Sequence, residues 1–156
     1  MSKSSDFFMP ERWDEALALR KRFEKDSVVL AGGTDVMILI TRGMISPKHI
    51  ISLSRMPSWG SYELNGSVTF SAGTTFRKIE REAALLPVHT ALVNAASQVG
   101  GVQVRNVATI GGNLCNASPA ADSAPPLLVM DAEIVVYGPV GNLNGCIESC
   151  SYFNRR

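Results

Sequence analysis

Val28-Val29-Leu30-Ala31-Gly32-Gly33-Thr34-Asp35-Val36 runs three local signals together without a break. The apolar run Val28 to Ala31 has the pattern of a short strand buried on both faces, as in parallel sheets. Gly32-Gly33 punctuates it, and Thr34 is placed to cap a helix through its hydroxyl. Asp35 to Thr41 then carry Val36, Met37, Ile38, Leu39 and Ile40 until Gly43, which predicts that helix. Strand, glycine turn and helix in this order predict an α/β unit whose turn faces the unpaired N–H groups of a helix start.

Working outward, residues 11–25 place Trp13, Ala16, Leu17, Leu19, Arg20 and Phe23 at helical spacing, with Glu11, Asp14 and Glu15 near the start, where the helix dipole favours negative charge. Asp26-Ser27 breaks that helix. His49 to Leu53 reads as a second buried strand, and Met56-Pro57-Ser58 closes a small α/β lobe over residues 1–58. A second lobe over 59–137 opens with Tyr62-Glu63-Leu64 and Val68-Thr69-Phe70 flanking Asn65-Gly66, a dipeptide suited to a tight antiparallel hairpin. Thr74-Thr75 supplies an N-cap for a helix over Phe76 to Ala84, and Pro87 precedes a helix over Val88 to Val99. Gly100 to Pro126 reads as an ordered loop, with Leu127 to Met130 and Glu133 to Tyr137 as strands after it. The fold class is therefore α+β.

Composition removes several function classes. With 15 basic and 14 acidic side chains the net charge is +1, which gives no electrostatic case for nucleic acid. The longest apolar run, Val36 to Ile40, falls far short of the roughly 18–20 residues of a membrane span. Met1-Ser2-Lys3-Ser4-Ser5-Asp6 leads into charge rather than an apolar core, which argues against export. Cys115, Cys146 and Cys150 are an odd number, expected as reduced thiols in the cytoplasm. Cys146 and Cys150 could share a helix face, but no further ligand accompanies them, and His49 and His89 are isolated. Neither a metal site nor a nucleophile–base pair is legible.

A second glycine loop, Thr109-Ile110-Gly111-Gly112-Asn113, repeats the chemistry of the first, with hydroxyl and amide groups beside two residues lacking Cβ. Neither loop has the Lys-Ser or Lys-Thr of a P-loop or the Gly-x-Gly-x-x-Gly spacing of a Rossmann turn. One such loop is a tight turn; two in one chain point to a diphosphate.

Leu30 to Asp35, together with Gln103-Val104-Arg105-Asn106-Val107-Ala108-Thr109-Ile110-Gly111-Gly112-Asn113-Leu114 and Asn116-Ala117-Ser118-Pro119-Ala120-Ala121-Asp122, resembles the paired motifs of the FAD-binding medium subunit of molybdenum hydroxylases, the xanthine and carbon monoxide dehydrogenase family. The resemblance covers Phe8 to Tyr137. It implies the N-terminal half of a two-lobed, PCMH-like FAD-binding domain, truncated at its C-terminus, with FAD between an α/β lobe and a lobe built on an antiparallel sheet. Val29, Leu30, Ala31, Gly32, Gly33, Thr34, Asp35 and Val36 would wrap the pyrophosphate from one side. Thr109, Ile110, Gly111, Gly112 and Asn113 would grip it from the other. Val99 falls at an apolar position beside the flavin and Asp122 at an acidic position contacting the cofactor. The resemblance also implies molybdopterin-binding and iron–sulfur partner subunits, with electrons passing through FAD to NAD or another acceptor. The hydroxylation chemistry would lie in those partners.

On the residues alone, Asp35 reads as a helix-capping carboxylate rather than a proton carrier. Asp122 could accept from cofactor hydroxyls or close an Asx-turn with Ser123 and Ala124, and the resemblance favours the cofactor. Arg105 could neutralise a diphosphate, but a loop arginine is more often solvated or paired, so it is not counted in the site. Cys115 reads as a small buried hydrophobe. Residues 138–156 are expected to be an atypical tail. The alternative function is a flavin-free remnant that keeps only docking surfaces for partner subunits.

Overall fold

The computed structural model describes residues 4–64, 67–82, 85, 89–138 and 141–146. Its first part is a three-stranded parallel sheet of β1 (Asp6–Phe8), β2 (Ser27–Leu30) and β3 (His49–Ser52) in the order β1-β3-β2. β3 lies in the middle and pairs Asp6 and Ser27 with His49, and Phe8 and Val29 with Ile51. β2 and β3 are the expected strands, but the expected full burial of β2 is corrected: none of its residues is buried and Val29 is 39% exposed, because β2 is an edge strand. β1 is not among the expected strands, since three residues are too few to display a period.

Helix α1 (Trp13–Phe23) packs on β2 and β3 and carries the expected acidic first turn and basic last turn. Its Phe23 stacks on His49 at 3.8 Å between ring centroids and sits 5.3 Å from Phe8. Ile51 is fully buried beneath this face. His49 Nδ1 lies 3.2 Å from Asp6 Oδ2, near enough for ion pairing but without the alignment of a hydrogen bond.

Between β2 and β3 runs α2 (Val36–Thr41). Its N-cap is Asp35, already helical at φ −91° and ψ −49°, with no side-chain cap. The expected Thr34 cap is therefore corrected: the cap position falls one residue later, at Asp35, while the first helical backbone bond runs from Met37 N to Gly33 O at 3.0 Å.

The second part begins with β4 (Tyr62–Leu64) and β5 (Val68–Phe70), antiparallel with Tyr62 opposite Phe70 and Leu64 opposite Val68, as the hairpin reading requires. Asn65-Gly66 itself lies outside the described residues, as do Ala83, Ala84, Pro87 and Val88. α3 (Phe76–Arg81) starts at Thr75, whose hydroxyl accepts from Lys78 N at 3.3 Å, so the Thr75 cap is observed. α4 spans Thr90–Gln98.

The segment expected to be one long loop instead holds three short helices, α5 (Val102–Arg105), α6 (Ile110–Asn116) and α7 (Ala124–Val129). Pro125 and Pro126, which read as loop residues, occupy the first turn of α7, where a missing N–H costs nothing. The expected strand at Leu127 to Met130 is thereby a helix. Within α7 only Leu127 is buried, a pattern that four apolar residues cannot disclose.

β6 (Glu133–Gly138) is the expected strand, and β7 (Gly141–Cys146), within the supposed tail, pairs with it antiparallel. Cys146 is therefore on a strand, and Cys150 lies outside the described residues.

The main apolar core belongs wholly to this second part: Phe76, Ile79, Leu85, Leu92, Ala96, Ala108, Ile110 and Leu127, flanked by Val68, Phe70, Val93, Val99, Leu114, Met130, Ala132 and Ile134. Each large side chain buried there contributes about 1.5–3 kcal/mol. No described helix is long and apolar enough to cross a membrane.

Candidate functional site

The first glycine loop leaves the C-terminal end of β2 and turns directly into α2. Gly33 adopts φ +78°, a left-handed conformation that glycine takes without Cβ strain. Gly32 needs its missing Cβ for another reason. A Cβ there would lie 1.9 Å from Val107 O and 3.1 Å from Ala108 Cα, so the loop backbone rests on the backbone just ahead of the second motif. Among the described residues, the N–H groups of Gly32, Gly33, Thr34, Asp35 and Val36 donate to no acceptor. Five successive amides at this strand-to-helix turn are thus left open, a donor set of the kind that suits an anion.

The second loop is built differently. Thr75 and Thr109 form an isolated antiparallel bridge, with Phe76 N donating to Ala108 O at 3.1 Å and Ile110 N to Thr74 O at 2.9 Å. Both threonines cap the helix that follows them; Thr109 Oγ1 accepts from Gly112 N at 3.1 Å. Gly111 N donates to Ala72 O at 3.0 Å, and a Cβ on Gly111 would stand 2.6 Å from Ala72 Cβ. Asn113 N donates to Thr109 O at 3.0 Å. The four amides of Ile110 to Asn113 are thus occupied within the protein, and Gly111 serves the packing of α6 on the β5–α3 turn.

What the second motif has left to offer lies in its side chains. Asn113 Oδ1 accepts from the fully buried Ser123 hydroxyl at 2.6 Å, which fixes the amide and turns its two N–H donors to other partners. Asp122 precedes Ser123, is exposed, and makes no Asx-turn bond to Ser123 or Ala124; Ala124 N donates to Ala121 O instead. The bond between Ser123 and Asn113 therefore ties the Asp122 segment to the second loop. Ala31 Cβ is 3.6 Å from where a Cβ on Gly112 would stand, so the first loop lies beside the second here, as it lies on Val107-Ala108 at Gly32.

Val99 caps the C-terminus of α4 and packs partly on the core. Its carbonyl, with that of Gly100, is held by Arg105, a residue the sequence reading set aside. Arg105 is buried and bidentate to Glu80. Glu80 and Ser123 carry no local signal, because each acts through a partner distant in sequence, Arg105 and Asn113 respectively.

Cys115 is exposed rather than buried. No group of three or more metal-ligating side chains occurs among the described residues. A shallow depression lined by Glu11, Arg12, Trp13, Asp14 and Pro57 contains none of the loop residues, and its charged rim is an exposed pair at 2.6 Å between Arg12 and Asp14.

The sequence matches the family described as the FAD binding domain in molybdopterin dehydrogenase over residues 3–155, past Tyr137 and through the β6–β7 hairpin. It is 37% identical over 115 residues to the xanthine dehydrogenase FAD-binding subunit of Escherichia coli O157:H7, covering 72% of this chain and 39% of that one. It is 32% identical over 136 residues to the nicotinate dehydrogenase FAD-subunit of Eubacterium barkeri, covering 86% and 46%. In structure it is similar to carbon monoxide dehydrogenase from Hydrogenophaga pseudoflava, with a TM-score of 0.88 and 26% identity, over 95% of this chain and 52% of that one. The chain spans about half the length of the relatives it matches, or less.

Proposed function

Because the chain belongs to the family of the FAD binding domain in molybdopterin dehydrogenase, we propose that its two glycine loops seat the diphosphate of FAD and that it serves electron transfer in a molybdenum-hydroxylase-type oxidoreductase. The observation that carries this reading is the contact of Gly32 with the Val107-Ala108 backbone, which sets five unpaired amides beside the second motif. The donor set suits the group: successive backbone N–H groups and an oriented asparagine amide match anionic phosphate oxygens, with no carboxylate other than Asp35 in the first turn.

The roles divide accordingly. Gly32 to Val36 donate to the diphosphate, while Val29, Leu30 and Ala31 deliver the turn from the sheet. Thr109 to Gly112 form the rigid floor against which the first loop rests, and Asn113 donates through its Nδ2. Asp122, exposed and unpaired among the described residues, accepts from cofactor hydroxyls, and Val99 supplies an apolar contact. FAD, when bound, supplies a ring that takes up and releases electrons singly or in pairs. The relatives' designation as subunits of dehydrogenases supports molybdopterin-binding and iron–sulfur partners, with NAD or another acceptor downstream.

The test is titration of the 156-residue chain with FAD by calorimetry, beside its visible spectrum. Saturable binding is expected in the wild type and abolished in Gly32→Asp, which adds bulk and negative charge at the seat. A wild type that takes up no FAD overturns the reading and favours the flavin-free docking module.

A further inference from the structure

Arg105 ends α5 with only 9% of its surface exposed, and nothing in the FAD reading uses it. Its Nε and Nη2 lie 3.0 and 3.3 Å from Glu80 Oε2 and Oε1. Its Nη1 lies 2.8 Å from Gly100 O and 3.4 Å from Val99 O. Glu80 is anchored from its other side by Arg77 Nη1 at 2.8 Å. One guanidinium thus joins α3, the α4–α5 turn and α5. That turn is where Gly100 goes left-handed at φ +48° and packs on Val104.

A buried ion pair is weak evidence of a stability role, since well-packed apolar residues of equal volume often do as well. A planar fork that meets a carboxylate with one edge and two carbonyls with the other instead fixes geometry, and a lysine cannot reproduce it. The geometry fixed here has a short lever to the site. Asn106 alone separates Arg105 from Val107, whose carbonyl meets Gly32, and Val107 N and Ala108 N both donate to Val104 O within the same turn.

We propose that Arg105, locked by Glu80, is a positioning residue of the nucleotide site: it holds α5 so that Val107-Ala108 meets Gly32 and the first loop's amides stand in register with Asn113. This inference rests on the FAD reading above. It concerns the diphosphate seat and not the flavin ring, so it applies equally to any ligand carrying that diphosphate.

The experiment titrates the wild type, Arg105→Lys, Glu80→Gln and the double variant with FAD and, separately, with ADP, and records thermal melts of each. Arg105→Lys is expected to weaken FAD and ADP by the same factor, about tenfold, the scale of one well-made hydrogen bond to a charged group. Glu80→Gln should weaken both by a smaller common factor, and the double variant should bind no worse than Arg105→Lys, because the two residues act as one device. A merely structural role would lower the melting temperature and leave the affinity of the folded protein untouched. Affinities within twofold of wild type for folded variants, a loss for FAD without a loss for ADP, or additive losses would each overturn the inference. Should Arg105→Lys not fold, Glu80→Gln decides by the same criteria. A wild type that binds neither ligand fails the FAD reading itself, an outcome distinct from variants that bind like wild type.

Discussion

At the scale of single residues, the glycines of the two loops do different jobs and should respond differently to one added methyl group. In Gly32→Ala the Cβ meets Val107 O at 1.9 Å, so the loops must separate. The expected outcome is a roughly ten- to hundredfold loss of FAD affinity, equivalent to one charge-assisted hydrogen bond of about 1.5–3 kcal/mol. Isothermal calorimetry measures it. In Gly111→Ala the Cβ meets Ala72, a scaffold contact whose N–H···O bond helps hold the β5–α3 connection to α6. That overpacking should cost about 1–3 kcal/mol of folding stability in urea melts. An unchanged melt would show that the backbone there yields without cost. The sequence shows two glycine pairs of equal aspect; only the hydrogen bonds distinguish a loop whose amides are open from one whose amides are occupied.

At the scale of elements, α7 illustrates how one helix can be half core and half surface. Leu127 is buried in the main cluster, whereas Val129 two residues on is 87% exposed. Leu127→Ala should destabilise by about 2–5 kcal/mol and Val129→Ser by less than about 0.5 kcal/mol, as read by chemical denaturation. Equal effects would refute the orientation of the helix.

The link from α3 to α5 is electrostatic and therefore depends on pH. The Glu80 carboxyl is held below the usual carboxylate range, first by the hydrogen bond from Arg77 and then by Arg105, against the opposing effect of desolvation. A carboxyl whose folded pKa is lowered stabilises the fold above its unfolded pKa, about 4.3, and loses that contribution as pH falls through the lower folded value. The stability gap between wild type and Glu80→Gln should therefore be largest near neutrality and close progressively below about pH 4.3. A gap constant from pH 7 to pH 3 would sink that assignment. The exposed pairs of Asp14 with Arg12 and Asp26 with Lys48 also depress their carboxyls, but solvent screening leaves such pairs little weight.

At the scale of the whole molecule, the proposed seat lies where the sheet part, residues 6–52, meets the core-bearing part, residues 68–134. A ligand bridging both should stabilise them together by mass action, about 2.7 kcal/mol at a free concentration one hundred times the dissociation constant. Hydrogen exchange should then slow in β2 and in α6 alike when FAD is added. Protection confined to β2 and α2 would place the ligand on the first loop alone.

The local signals in the sequence were enough for α1, β2, β3, the β4–β5 pairing, the Thr75 cap, β6 and the two glycine motifs, because each rests on neighbours in the chain: spacing, caps and turn residues. The paired motifs also carried the family, since close backbone approaches such as those at Gly32 and Gly111 restrict residue type position by position. Tertiary structure decided the rest. It decided that Gly100 to Met130 folds as short helices, because α5 to α7 are too brief to show a period and each buries a single residue, Arg105, Ile110 and Leu127, with a side-chain cap only on α6. It decided that β7 exists, since a strand of two Gly, two Asn, one Leu and one Cys is recognisable only beside β6. And it decided which amides of the two loops stay open, because a backbone donor is free or occupied according to what the fold brings opposite it, and Ala72, Val107 and Arg105 reach their places only once the chain has closed.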